Sequence, residues 1–188
     1  MKCSRCFEEA VIFQKESGAS LCARHLAADI ESRAKKEIRN KGGIRSGERI
    51  FIAETRPVQT FALRIFLSAL FLKRRDIVFL NGASDASLVL TDKCLDDAAA
   101  EMLDAVISGT VSSYPGAAHA KPRTLSPLAV IPEKEIYLYA QMHGWKQELL
   151  PASGAVRRFL NDFSEDRPSA KFALKKIADK LGEIENAV

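Results

Sequence analysis

The sequence predicts an α/β protein: a small N-terminal zinc knuckle, then a reduced three-layer domain on a parallel sheet. Three observations carry this. Cys3, Cys6, Cys22 and His25 stand in C-x2-C…C-x2-H spacing at the start of the chain. Short apolar runs at Ile50–Ala53, Ile77–Leu80 and Leu88–Leu90 then alternate with longer helix-forming stretches, the pattern of β-α-β units. The 188 residues are 47% hydrophobic and 28% charged, which fits one globular domain beside the knuckle.

In the knuckle, two close ligand pairs on tight turns can converge on one tetrahedral zinc, with Zn–S distances near ~2.3 Å. Between them, Ala10–Gln14, a turn at Ser17-Gly18 and a return through Leu21 read as a hairpin. So short a piece cannot bury enough apolar surface to fold unaided, and the metal would supply the missing free energy. The alternatives are two disulfides, or buried reduced cysteines beside a chance histidine. Met1-Lys2 leads straight into Cys3, so no targeting peptide is expected, and reduced thiols in a cytoplasmic protein favour zinc. Four protein ligands leave no open position, making the zinc structural.

Ala27–Asn40 is charged and helix-forming, with Leu26, Ile30, Ala34 and Ile38 in one narrow apolar stripe, and Lys41-Gly42-Gly43 ends it. A turn over Ile44–Arg49 leads to the first strand. The apolar stretch Phe61–Leu72 is interrupted by Arg64 and closed by Lys73-Arg74-Arg75. It is too short to span a membrane and reads as part of a buried helix over Gln59–Leu72. A helix over Leu95–Ser108 follows the third strand. Gly109–Pro127 reads as a long loop, and Pro132 with Glu133 and Glu135 opens a helix that stops at Gly144. Helices around Ala155–Phe163 and Lys171–Leu181 complete the chain. The expected organisation is a knuckle over 1–27, a connector over 28–43, an α/β domain over 44–150 and a helical region over 151–188. The net charge of +4 and pI of about 8.9 permit a nucleic-acid partner without requiring one.

The order of these features resembles the PP-loop ATP pyrophosphatases, in the branch that makes tRNA 2-thiouridine. The resemblance rests on the cysteine–histidine quartet and its connector, and on Ile44–Ala53 as the lead-in to the first strand. It continues with Leu95-Asp96-Asp97-Ala98-Ala99, with Pro127-Leu128 and Ile131–Ala140, and with Arg158-Phe159-Leu160-Asn161, Pro168, Lys171 and Phe172. It implies an adenine-nucleotide-hydrolase-like fold and an ancestry of uridine adenylation followed by sulfur transfer.

The family's Ser-Gly-Gly-Lys-Asp-Ser loop cradles phosphate with backbone N–H groups at a helix N-terminus. Here the corresponding stretch is Thr55-Arg56-Pro57-Val58-Gln59-Thr60. Proline donates no N–H and both glycines are gone, which argues against ATP hydrolysis. The family's C-x2-C pair before the third-strand region is missing, Leu150 stands in place of its later cysteine, and a second zinc finger is not expected. Cys94 alone cannot hold a cluster, so an iron–sulfur cluster is not expected. Asp96 and Asp97 match the family's nucleotide-site pair, yet two acids in a helix's first turn are ordinary dipole partners. They stand as weak catalytic remnants at most. His119 and His143 match no partner.

Binding is the property left. Arg24, Arg33, Lys35, Lys36, Arg39 and Lys41, with Lys73, Arg74 and Arg75, are the candidate RNA contacts; interleaved acids allow the plainer reading of solvated faces. The expectation is a degenerate, zinc-stabilised relative that binds tRNA or a complete paralogue. An active thiolation enzyme completed by a partner subunit, and an interaction module without RNA contact, are the alternatives. A truncated sheet edge makes homodimerisation a further option.

Overall fold

The computed structural model describes residues 1–111, 122–151 and 153–185, the side chains of 184 and 185 excepted. The knuckle is an antiparallel hairpin of β1 (Ile12–Gln14) and β2 (Ala19–Leu21), with Ile12 opposite Leu21. Gly18 turns it at φ 67°, a conformation that suits a residue without Cβ. Helix α1 (Ala23–Asn40) starts four residues before the expected Ala27, because the extended backbone of Cys22 occupies the N-cap. His25 therefore sits on the first helical turn. Leu26, Ile30, Ala34 and Ile38 form its buried stripe, as the spacing of four predicts.

A four-stranded parallel sheet follows: β3 (Arg49–Ala53), β4 (Val78–Leu80), β5 (Leu88–Thr91) and β6 (Arg123–Leu125), in the order β4-β3-β5-β6. Helix α2 (Pro57–Phe71) links β3 to β4, and α3 (Leu95–Ile107) lies between β5 and β6. These crossovers run outward in opposite directions from the β3–β5 pair. Right-handed connections therefore put α2 and α3 on opposite faces. Helix α4 (Glu133–Met142) packs on α2 and α1, while α5 (Ala155–Asp166) and α6 (Ala170–Glu185) pack on α3. The expected three-layer α/β architecture with its N-terminal cysteine-rich knuckle is present. Strand order reverses between β3 and β5, and the crevice at their C-terminal ends is the place where such sheets bind ligands.

Two local expectations are corrected. Helix α2 begins at Pro57 rather than Gln59, with the proline in the first turn, where its missing N–H costs nothing. Strand β6 lies inside the stretch read as loop, of which 112–121 fall outside the described residues. Arg-Thr-Leu is too short to show alternation. Its pairing with β5 is fixed from outside, by the Arg123 guanidinium donating to Lys41 O (2.9 Å), Gly43 O (2.7 Å) and Glu48 (2.8 Å).

The knuckle shares the domain's core. Ile12, Leu21 and Leu26 lie in one buried cluster with Ile50, Leu63, Phe66, Leu88, Leu90, Ile131 and Tyr139; burying each large side chain contributes about 1.5–3 kcal/mol. Among the described residues, no helix is long and apolar enough to cross a membrane.

Candidate metal centre and the Asp92 cluster

The hairpin and the first turn of α1 bring Cys3, Cys6, Cys22 and His25 together, with all four donor atoms within 4.8 Å of one another. Cys6 Sγ lies 3.7 Å from Cys22 Sγ, and His25 Nδ1 lies 3.4 Å from Cys3 Sγ and 3.3 Å from Cys22 Sγ. The scaffold is local: Cys3 N–H donates to Glu8 O at 3.0 Å and Ser4 N–H to Ser20 O at 2.7 Å. Burial pushes the Cys3 thiol up, but hydrogen bonds from the Arg5 and Cys22 backbone and from Cys6 outweigh it and bring it down to about 6. Cys22 is pushed up to about 11: the His25 backbone N–H lowers it, while burial and hydrogen bonds with Glu8, Cys6 and Cys3 raise it more. Three thiolates and an imidazole suit zinc and iron alike.

At the β3–β5 switch point the crevice is occupied by the protein's own carboxylate. Asp92, 1% exposed, follows β5 directly. Its carboxylate accepts the backbone N–H groups of Thr55 (2.8 Å) and Arg56 (2.9 Å). The hydroxyls of Thr55 and Thr60 also donate to it, both at 2.6 Å. These are donors at the N-terminus of α2, the place where a phosphate loop binds its anion.

Above Asp92 lies a closed ionic cluster. Arg56 pairs with Asp97 (3.1 Å) and Glu133 (3.3 Å). Gln59 donates to Glu133 at 2.8 Å. Arg157, nearly fully buried, pairs with Asp97 and, at 2.8 Å, with Glu133. Pro57 is exposed and Val58 packs into the core. Thus Thr55, Arg56, Gln59 and Thr60 all point into internal contacts.

Asp96 and Asp97 are likewise engaged. Asp96 accepts the Glu133 N–H (2.7 Å) at the start of α4 and pairs with Lys171 (2.6 Å). Asp97 closes the N-terminus of α3, accepting the Cys94 N–H and thiol, each at 3.0 Å. Burial pushes the Cys94 thiol well up, and the charges of Asp97 and Asp96 add to it. Cys94 is a buried capping residue. His143 is exposed beside the Tyr139 ring, at 4.6 Å between centroids; His119 lies outside the described residues.

The candidate RNA contacts divide. Arg33 is held by Asp29 and Glu135, Lys35 by Glu31, Lys41 by Asp179 and Arg74 by Asp76. Arg24, Lys36, Arg39, Lys73 and Arg75 are exposed and join no ion pair among the described residues. The sequence reading names neither Asp92 nor Arg157 as a site residue, and Glu133 only as a residue that opens a helix. An acid directly after a central strand, beside the reversal of strand order, is the signal for Asp92.

Known proteins bear on both sites. Residues 2–27 match the family described as 2-thiouridine synthetase TtuA, N-terminal LIM domain. The whole chain is similar to the U34-tRNA thiolase NcsA from Methanococcus maripaludis, solved with its [4Fe-4S] cluster. The TM-score is 0.79 at 16% identity, over 97% of this chain and 87% of the thiolase chain. The first match is confined to residues 2–27, and the second shows a shared fold. None of the curated proteins matches the sequence.

The thiolase corrects the expectation of zinc alone with no iron–sulfur cluster. A protein of this fold carries such a cluster, and the cysteine–histidine set here can hold a metal. That expectation rested on the missing C-x2-C pair, on Leu150 and on the lone thiol of Cys94, whereas clusters are held by grouped thiolates; the grouped cysteines of this chain are Cys3, Cys6 and Cys22.

Proposed function

We propose that this chain is a tRNA-thiolation-family protein whose nucleotide site has been converted into structure, and which acts by binding tRNA or a catalytically complete paralogue. The observation that carries this reading is the Asp92 carboxylate on the Thr55 and Arg56 amides. A carboxylate there takes the donors that a phosphate would need. Arg56, the cation of the overwritten loop, is neutralised by Asp97 and Glu133. Asp96, the other acid of the remnant pair, holds the α4 N-terminus and Lys171. These bonds leave adenylation without its binding groups.

The Cys3, Cys6, Cys22 and His25 set would hold the metal centre, which ties the hairpin to α1. The thiolase makes an iron–sulfur cluster the first centre to look for, through iron and acid-labile sulfide in anaerobically purified protein. Exposed cations at Arg24, Lys36, Arg39, Lys73 and Arg75 supply charge for phosphate contacts.

The test is binding of bulk tRNA to metal-loaded protein across a salt series, with and without ATP, beside an assay for AMP release. Salt-sensitive binding indifferent to ATP, with no AMP formed, is the expected result. AMP release by the chain alone, or ATP-dependent affinity, would overturn the filled-site reading. Absence of tRNA binding would leave the paralogue as the partner.

A further inference from the structure

We infer that the cleft between the C-terminal ends of α1 and α2 is an RNA site, taking one unpaired base on its apolar floor and the adjoining phosphates on its cationic rim. The inference rests on the tRNA-binding reading above and assigns it to a surface. The cleft measures about 220 Å³; Ile38, Ile44, Leu70 and Phe71 form its floor, and Lys35, Arg39 and Arg74 its rim. It lies at the N-terminal end of the sheet, where α1 runs into β3. The 15 residues of α2 separate it by about 22 Å from the Thr55–Thr60 loop. It is therefore distinct from the switch-point crevice.

Its parts come from two stretches of the chain, 35–44 and 70–74, and Arg74 joins them. That side chain donates to Ile44 O (3.1 Å) and Arg45 O (3.2 Å), pairs with Asp76 (2.6 Å), and sits 5.9 Å from the centroid of the Phe71 ring. Arg74 is thus a positioning residue. The binding charges are different ones: Arg39 on the rim, with Arg45, Lys73 and Arg75 flanking, all exposed and in no ion pair among the described residues. The acids of the adjoining segments are already engaged, Glu31 with Lys35, Glu37 with Lys175, Glu48 with Arg123 and Asp76 with Arg74. Lys35 and Arg74 are thereby neutralised, and the positive charge left at the cleft is that of Arg39, Arg45, Lys73 and Arg75.

This combination selects its ligand. An apolar floor gives nothing to inorganic phosphate, and the rim repels cations while giving nothing to a neutral apolar group. A flat ring carrying phosphates uses both. The volume is below the roughly 300–1,000 Å³ of sites for drug-sized ligands, so it admits a single base with its phosphates outside. Sequence-tolerant recognition of unpaired nucleotides has this form, a cationic track beside surfaces that receive bases.

The test uses the full metal-loaded chain and bulk tRNA between about 50 and 200 mM salt. The rim is probed by R39E combined with R75E, and the floor by I44W, which fills the cleft without changing charge. K146E, an exposed cation beyond α4, is the control. The rim variant is expected to weaken binding about tenfold or more and to flatten the log K against log salt slope by about 2. I44W is expected to lower affinity for a single-stranded uridine oligomer with the slope unchanged, and K146E to bind like the native chain.

Native tRNA affinity in the rim variant would overturn the cleft assignment while leaving the RNA reading standing. If the unaltered chain binds no tRNA, the RNA reading itself fails and takes the cleft with it. Polyglutamate competing as well as tRNA, charge for charge, would reassign the cleft to an acidic protein and overturn the RNA assignment.

Discussion

Asp92 grips Thr55 twice, accepting its backbone N–H at 2.8 Å and its hydroxyl at 2.6 Å. With the Arg56 N–H and the Thr60 hydroxyl, one buried carboxylate takes four donors. Burying an ionised carboxylate is costly unless its oxygens are satisfied, and here the start of α2 satisfies them. The β3–α2 junction is in effect an anion complex in which the anion is covalently part of the chain. This explains how a loop without glycines, and with a proline in place, still organises its helix N-terminus.

Replacing Asp92 with alanine is therefore expected to destabilise the protein by about 2–4 kcal/mol, since several buried donors lose their acceptor together. Asp92→Asn keeps the shape and one acceptor oxygen, and should cost about half as much. Urea unfolding monitored by circular dichroism measures both. An alanine variant as stable as the native chain would show that water replaces the carboxylate without penalty.

A second prediction concerns Arg157, whose side chain is 5% exposed between Asp97 and Glu133. Arg157→Met leaves both acids to Arg56 and should cost about 3–5 kcal/mol at neutral pH. Burial acts to raise the Asp97 carboxyl, but the Cys94 thiol and N–H, Arg157 and Arg56 together hold it below the ordinary 3.8. Its stabilising contribution is thus complete above that value and is lost as pH falls through the lower folded value. The gap in thermal midpoint between native and Arg157→Met protein should be wide at neutral pH and should narrow as the pH falls below 3.8. A gap unchanged with pH would mean that the pair contributes by packing alone.

The parts written in local pattern were legible. Metal-ligand spacing located the knuckle quartet, a period of four located the buried stripe of α1, and short apolar runs located β3, β4 and β5. What escaped was set by distant partners. Strand β6 exists because Arg123 is fixed by Lys41, Gly43 and Glu48 across the fold. The start of α1 at Ala23 follows from the extended backbone of Cys22 at the N-cap. Arg33 and Lys41 look like surface cations in sequence, yet their acids, Glu135 and Asp179, lie about a hundred or more residues away. Pro57 and the absence of glycines over Thr55–Thr60 are plain in the sequence; the hold of Asp92 on Thr55, Arg56 and Thr60 is not, because the contact joins two different strand ends.

Cys94 should behave as structure. Its burial and the neighbouring Asp97 and Asp96 charges keep the thiol protonated, and protonated thiols are poor nucleophiles. In metal-free native protein, a thiol reagent is expected to label cysteines of the knuckle and to reach Cys94 only after unfolding. Cys94→Ser should retain the cap on Asp97 and change stability by no more than about 1 kcal/mol. Fast labelling of Cys94 in the folded chain, read by mass spectrometry, would contradict this and reopen it as a reactive site.

Metal removal should be felt beyond the knuckle. Ile12 and Leu21 of the hairpin lie in the main core, and Gln14 donates to the buried Glu135 of α4 at 3.1 Å. The hairpin is therefore one wall of the domain, and the metal's free energy is folding free energy for that wall. Chelation, or Cys22→Ala, is expected to cost roughly 3–5 kcal/mol and to raise amide exchange first over residues 2–27 and the first turn of α1. Measuring zinc, iron and sulfide on the same anaerobic sample identifies what is bound, and each species should fall together with the thermal midpoint as ligands are removed. Full stability and unaltered exchange after complete chelation would refute a structural role for the quartet. In that case the hairpin would be held by the Ile12, Leu21 and Gln14 contacts alone.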